Sequence, residues 1–364
     1  MIIMRKNLFF AIVIFLILLI SCSQNNIKNV EFKIKKDDDK NVLLDVAESD
    51  VKHITLKSEK IFGLFTEIAV KDSLLICGNL RSPKLINTYS LNSGKLIDEL
   101  ITRGESEYEG LSVSSLYIQN NYLWIYDITL SKFFKTEINN KKIDSSSIKK
   151  IDLAKNLKNI IFPVIINDSL ILATTYAMND FRYLYANPQK TLKNVGQLPK
   201  VKNSEYLTDA AETKFPNKAF IFKAIAIKNS SENKTVVFYN KTDRAEFYSN
   251  DRLIKVVQNQ DGFNPIMQVA KLEEGGYLVE DSDKTKYAYL STAYTDRYIY
   301  SLYSGSNETS SNSILVFDWN GEFIKKLELD RKVCKIFIEP KRNILYSYEI
   351  EANGIYSANL NYDL

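Results

Sequence analysis

The sequence predicts an all-β protein, a six-bladed β-propeller closed by an N-terminal strand in its last blade. Three observations carry that expectation: a turn-plus-strand signature that recurs six times, an almost complete lack of helical periodicity, and a final repeat that is one strand short. The signature is a turn-forming pair followed by a short alternating run of aliphatic and aromatic residues. It reads Asp72-Ser73-Leu74-Leu75-Ile76, then Asn120-Asn121-Tyr122-Leu123-Trp124, then Asn167-Asp168-Ser169-Leu170-Ile171. It returns as Asn233-Lys234-Thr235-Val236-Val237, Thr295-Asp296-Arg297-Tyr298-Ile299 and Arg342-Asn343-Ile344-Leu345-Tyr346.

The first element along the chain is a leader. Arg5 and Lys6 precede an apolar run from Leu8 to Ile20, and Leu19-Ile20-Ser21-Cys22 has the form of a bacterial lipobox. A basic start, a short apolar core and a small residue before the break are what signal peptidases read. The run is too short for a transmembrane helix, which needs roughly 20 apolar residues. Residues 1–21 are therefore expected to be a lipoprotein signal peptide and Cys22 the lipidated first residue. Residues 22–41 are expected to be a flexible tether, because mixed charge with few large apolar groups offsets little of the entropy of ordering.

Residues 42–364 carry the repeats. Taking Leu74, Leu123, Leu170, Val236, Tyr298 and Leu345 as equivalent, the intervals are 49, 47, 66, 62 and 47 residues. A four-stranded blade needs roughly 40 to 50 residues, so the two long intervals should hold insertions, placed near Tyr206–Ala219 and Gln260–Lys284. Second hairpins follow where blades require them. Asn92-Ser93-Gly94-Lys95 joins two alternating runs, and Asn320-Gly321 is a hairpin turn of the kind in which both central residues take positive φ. The best helix candidate is Ile148–Ile160. The 22 tyrosines and 19 phenylalanines fall mostly at strand positions, where aromatics pack between blades. Three strands, Val333–Ile338, Ile344–Glu349 and Ile355–Leu360, end the chain, and Val51–Lys57 is assigned as the outer strand that completes them and removes an open edge.

Two stretches carry a resemblance to a known family. Tyr287-Ala288-Tyr289-Leu290 with Tyr294–Gly305, and Ile314–Leu327 around Asn320-Gly321, are similar to the fifth-blade region of TolB-like six-bladed propeller lipoproteins of Bacteroidetes-type bacteria. Arg103-Gly104-Glu105-Ser106-Glu107-Tyr108 partly resembles a G-R-G-P-x-E-aromatic loop of that family, with Thr102 and Glu105 departing from it. The resemblance implies a propeller fold, an exported lipoprotein and, by analogy with TolB, protein interaction. It implies no reaction.

The residue inventory limits the chemistry. The single histidine, His53, lies on the assigned closing strand, so a multi-histidine metal site is excluded and a Ser-His-Asp triad would sit at the outer rim. No phosphate loop of the form GxxxxGK[ST] and no GxSxG elbow occurs. A net charge of +4 from 48 basic and 44 acidic residues, interleaved along the chain, gives no basic stripe for nucleic acid. Cys77 and Cys334 fall in neighbouring blades; in an oxidising compartment they are candidates for a bridge, although buried, unbridged strand cysteines are the commoner outcome.

The functional expectation is a membrane-anchored envelope lipoprotein acting as a non-enzymatic binding or scaffold module for a protein, peptide or small ligand. No cofactor, metal or catalytic residue is assigned. Contacts are assigned to blade-connecting loops holding Arg103, Glu107, Tyr108, Asp180, Arg182, Asp296 and Arg297, since loops on a rigid scaffold usually carry function. The alternative is a lactonase-like, metal-assisted hydrolase holding a divalent cation with carboxylates among Glu107, Asp127, Asp180, Asp296 and Asp318. Ser23 gives no acidic retention signal after Cys22, which favours the outer membrane, facing the periplasm or the cell surface.

Overall fold

The computed structural model describes residues 27–36, 40–79, 81–139, 142–176, 180–202, 218–272 and 277–360. The leader and Cys22 lie outside them, as does most of the insertion expected near Tyr206–Ala219. Each of the six residues taken as equivalent, Leu74, Leu123, Leu170, Val236, Tyr298 and Leu345, sits in the second strand of a four-stranded antiparallel blade. The first blade is Phe65–Lys71, Leu74–Asn79, Lys84–Ser90 and Leu96–Thr102. In the second, Ser115–Gln119, Tyr122–Asp127 and Lys132–Asn139 are followed by a divided outer strand, Lys142–Ile143 and Lys149–Asp152. The third is Ile160–Asn167, Leu170–Thr175, Tyr183–Asn187 and Lys190–Val195. The fourth is Ala224–Asn229, Lys234–Tyr239, Ala245–Ser249 and Arg252–Asn259. The fifth is Tyr287–Tyr294, Tyr298–Ser306, Ser311–Asp318 and Phe323–Val333.

The sixth blade has three C-terminal strands, Lys335–Glu339, Ile344–Glu349 and Gly354–Asn359, and an N-terminal fourth. That fourth strand is Lys57–Phe62, not Val51–Lys57. The alternating residues Val51–Ile54 instead pair in parallel with the outer strand of the fifth blade, where His53 is exposed opposite Glu328. Asn41–Leu44 does the same on the fourth blade. Parallel additions to outer strands are invisible to a count of missing strands, which explains the misassignment.

The expected tether is also partly ordered. Ile27–Glu31 adds to the hairpin Ile266–Lys271 and Tyr277–Glu280, which fills the expected insertion near Gln260–Lys284. Phe32, 2% exposed, is the anchor: it packs among Ile221, Phe222, Met267 and Tyr277, and its N–H donates to the Pro265 carbonyl at 2.8 Å. One large apolar side chain thus offsets ordering that the composition alone did not support. The described segments 27–36 and 40–62 run as a belt past blades four, five and six.

Two local expectations are corrected. Ile148–Ile160 forms no helix; it holds the short strand Lys149–Asp152 and a single turn, Lys155–Leu157, before the third blade begins. At Asn320-Gly321 only Gly321 has positive φ, +81°. Asp318 replaces the second left-handed residue by accepting from the N–H groups of Asn320 and Glu322, both at 2.8 Å, an Asx-type turn.

Among the described residues the core consists of six buried clusters, one at each junction between consecutive blades, including the sixth with the first. Aromatics dominate them: Tyr126, Phe133, Tyr183, Tyr239, Phe238, Phe247, Phe317 and Tyr348 are each essentially inaccessible. Their hydroxyls are satisfied where the rings are buried, as with Tyr126 donating to the Ile160 carbonyl at 3.0 Å and Tyr348 to that of Gly63 at 3.0 Å. Cys77 and Cys334 meet in the cluster between blades six and one as free thiols. Burial pushes both thiols up from their usual range, which keeps them protonated.

Candidate functional site

Four antiparallel strands return the chain to the end of the blade at which it started, so the inner strands of successive blades run in the same direction. They surround a cavity of about 910 Å³, to which every blade contributes. The walls are apolar: Ile68 and Val70, Leu116 and Ile118, Val164, Ile225 and Ile227, Ala293, Ile336 and Ile338. The volume is in the range of small-molecule sites.

Charged groups interrupt these walls. Glu67 accepts from Lys335 at 2.5 Å, and burial pushes its carboxyl up in spite of that ammonium. Lys223 stands where the fourth blade's inner strand begins, its Nζ 5.3 Å from the centre of the Phe162 ring. Burial lowers its pKa, and the positive charge of Lys335 lowers it further, while Asp281 acts the other way. At the far end Lys71 donates to Asn121 Oδ1 at 2.7 Å and to the Asn120 carbonyl.

Across the cavity, Tyr117 of the second blade and Tyr294 of the fifth meet hydroxyl to hydroxyl at 3.1 Å. These two tyrosines also line a second cavity of about 400 Å³, which continues past Gln119, Lys228 and Asn229 to Asp296 and Trp319. The pair is thus a bar at the shared wall of the two spaces.

The axial cavity ringed by six blades agrees with one further observation: the profile of the TolB-like 6-blade propeller-like family matches residues 46–341. The chain belongs to that family. Among solved structures it is similar to an exported protein of Bacteroides fragilis, at 10% identity over 92% of this chain and 95% of that one, with a TM-score of 0.45. It is also similar to BamB of Moraxella catarrhalis, at 13% identity over 87% and 99% with a TM-score of 0.39. A third similarity is to the Cps50 (Swd1) β-propeller domain of Myceliophteria thermophila, at 13% identity over 82% and 97% with a TM-score of 0.44. No curated protein matches the sequence.

The seven loop residues read from the sequence are not brought together. Arg103, Glu107 and Tyr108 lie on the connection from blade one to blade two, and Asp180 lies between the second and third strands of blade three. Both connections are at the end where inner strands start. Asp296 and Arg297 occupy a turn at the opposite end, where Asp296 lines the smaller cavity and Arg297 stacks on the Tyr298 ring at 4.9 Å. Arg103 braces its own loop, donating to the Leu111 carbonyl at 3.2 Å, while Glu107 and Tyr108 are exposed.

Arg182 is not a loop residue open to solvent. It is 6% exposed and pairs with the fully buried Glu246 at 2.7 Å, which Arg244 also contacts at 2.5 Å.

The carboxylates considered for a cation do not converge either. Asp127 accepts from Leu111 N–H at 2.7 Å, Ser112 Oγ at 2.6 Å and Leu130 N–H at 3.1 Å, anchoring the blade-connecting loop. Asp180 pairs with Lys218 at 2.7 Å, and Asp318 caps its turn. Among the described residues no group of three His, Cys, Asp or Glu side chains is placed to hold a metal ion.

Sequence reasoning missed Glu67, Lys223, Lys335 and the tyrosine bar. A signal existed: each inner strand immediately precedes a recurring turn, and Glu67, Lys223 and Lys335 are charged residues at or near the starts of these otherwise apolar strands.

Proposed function

We propose that this chain is an envelope lipoprotein, anchored through lipid on Cys22, whose propeller acts as a non-enzymatic binding module for a protein, peptide or small ligand. The observation that carries the reading is the axial cavity, with apolar walls from all six blades and lysines at both ends. Concave, largely apolar spaces with a few polar groups are the usual form of binding sites. The leader Arg5–Cys22 supports the anchor, and Ser23 in place of an acidic residue favours the outer membrane.

The test is crosslinking in the native envelope with a photoreactive residue at Asn121 or Lys341 on the cavity rim, followed by capture. A partner or ligand recovered reproducibly from the rim positions, and not from a photoreactive residue on the exposed strand position His53, is the expected result. Equal recovery from all three positions would sink the reading. The anchor is tested separately: Cys22→Ala should lose lipid labelling and membrane retention.

A further inference from the structure

The axial cavity holds a cation whose surroundings are unusual for a lysine. Lys223 sits in an apolar wall between Phe162 and Ile225, where a charge is costly unless it is paired. Asp281, whose negative charge acts on it, and Glu67, which lines the same cavity, are both already committed. Glu67 is held by Lys335 at 2.5 Å, and Asp281 is held by Lys241 at 2.5 Å. Lys335 adds like-charge repulsion rather than relief. Among the described residues, no carboxylate forms an ion pair with the Lys223 ammonium.

We propose that the cavity takes a small carboxylate with an apolar body, its anionic end held by Lys223 and its body lying along the aliphatic inner strands. This deepens the binding-module reading and rests on it. Charge complementarity selects the sign, since an anion relieves the uncompensated ammonium and a cation worsens it. One ammonium in an apolar wall balances the charge of a monoanion, whereas a phosphate dianion would keep a second negative charge against apolar side chains. A volume of about 910 Å³ encloses a molecule of small-ligand size and leaves the apolar body something to displace water from.

The test uses calorimetric titration of the full-length protein carrying Cys22→Ala, so that no protein-bound lipid competes. The probes are decanoate and decyltrimethylammonium, both below micelle-forming concentration. Decanoate should bind and the cation should not. Lys223→Met should weaken decanoate by at least about tenfold, the loss expected for one charge-assisted contact, while Lys223→Arg keeps binding within about threefold. Ile225→Trp, which fills the cavity, should abolish it.

Decanoate binding that is unchanged in Lys223→Met, matched by the cation, or absent altogether overturns the proposal. If either probe binds and is lost in Ile225→Trp alone, the cavity still binds and only the ligand class is wrong. If binding survives Ile225→Trp, the cavity is not the site and the broader reading falls with the proposal. Circular dichroism and melting confirm that each variant folds. Should Lys223→Met fail to fold, the preference of the parent protein between the two probes, with Lys223→Arg, decides the matter.

Discussion

Tyr117 and Tyr294 stand on the inner strands of opposite blades, and their hydroxyls meet at 3.1 Å across the axis. Burial raises both hydroxyls from the usual tyrosine range, so both keep their protons and one is always available to donate. Tyr117→Phe or Tyr294→Phe leaves the other hydroxyl without this partner, and each should cost about 1 kcal/mol of stability. The double variant should cost less than the two added together, because the orphaned group is gone. A double-mutant cycle by urea denaturation checks this, and strict additivity would show that the two hydroxyls do not interact in solution.

Arg182 should behave as a structural residue and Arg297 as a surface one. Arg182→Ala removes one of two guanidiniums beside the buried Glu246 and opens space in the junction between blades three and four. The expected loss is about 3 kcal/mol. Arg297→Ala, on an exposed turn, should stay within about 0.5 kcal/mol. Comparable small effects in both would place Arg182 in a more open environment than the one described.

Gly321→Ala tests the turn of the fifth blade. Its φ of +81° disfavours a side chain, and a Cβ there would approach the buried Phe247 ring to 2.8 Å. Left-handed strain and displacement of that ring together should cost about 2 kcal/mol. Asn320→Ala, beside it and without positive φ, should cost well under half as much.

Stability should fall as pH rises toward neutrality on account of Asp243. Burial pushes its carboxyl up to about 6, against the lowering effect of the Asn259 N–H and side-chain amide that donate to it. The folded protein therefore holds this proton to a higher pH than the unfolded chain, whose carboxyl titrates near 3.8. The associated stability is full below that lower value and is lost as pH rises through about 6, by at most about 3 kcal/mol. Asp243→Asn is neutral throughout, so urea midpoints measured across this window should fall less steeply in the variant. Parallel curves for the two proteins would sink the idea. Glu67, whose carboxyl is also raised, acts in the same direction in both.

The N-terminal belt should be separable into two energetic parts. Deleting residues 1–36 removes Ile27–Glu31 and the buried Phe32, and should cost about 2–3 kcal/mol while leaving a folded propeller. Deleting residues 1–62 removes the fourth strand of the sixth blade and the cluster residue Ile61, opening an edge next to the first blade. That protein should not fold to a cooperative unit. Proteolysis and thermal melts distinguish the two outcomes.

How much of this was legible in the sequence depends on the range of the interactions concerned. The second strands of all six blades were readable because their signature is local: a turn residue able to take a left-handed or Asx geometry, as Asp72, Asn120, Asn233 and Asn343 do at φ of 50–55°, followed by period-two alternation. The place of an insertion was readable from spacing. The identity of the closing strand was not, because Val51–Ile54 and Lys57–Phe62 are both short strands, and only their distant partners Phe323–Val333 and Gly354–Asn359 separate them.

The candidate site follows the same division. Arg182 looked like a loop arginine from its neighbours in sequence, and its partner Glu246 is a strand residue of the next blade. Glu67 and Lys335 are far apart along the chain and adjacent only once blade one closes on blade six. The sequence by itself determined the number of blades and the all-β class, since these rest on local turns, alternation and composition. Only the tertiary structure decided which strand closes the ring, which charges are buried in pairs and that Lys223 faces the cavity, among the described residues, without a carboxylate paired to it, because each depends on contacts between residues that the chain order keeps apart.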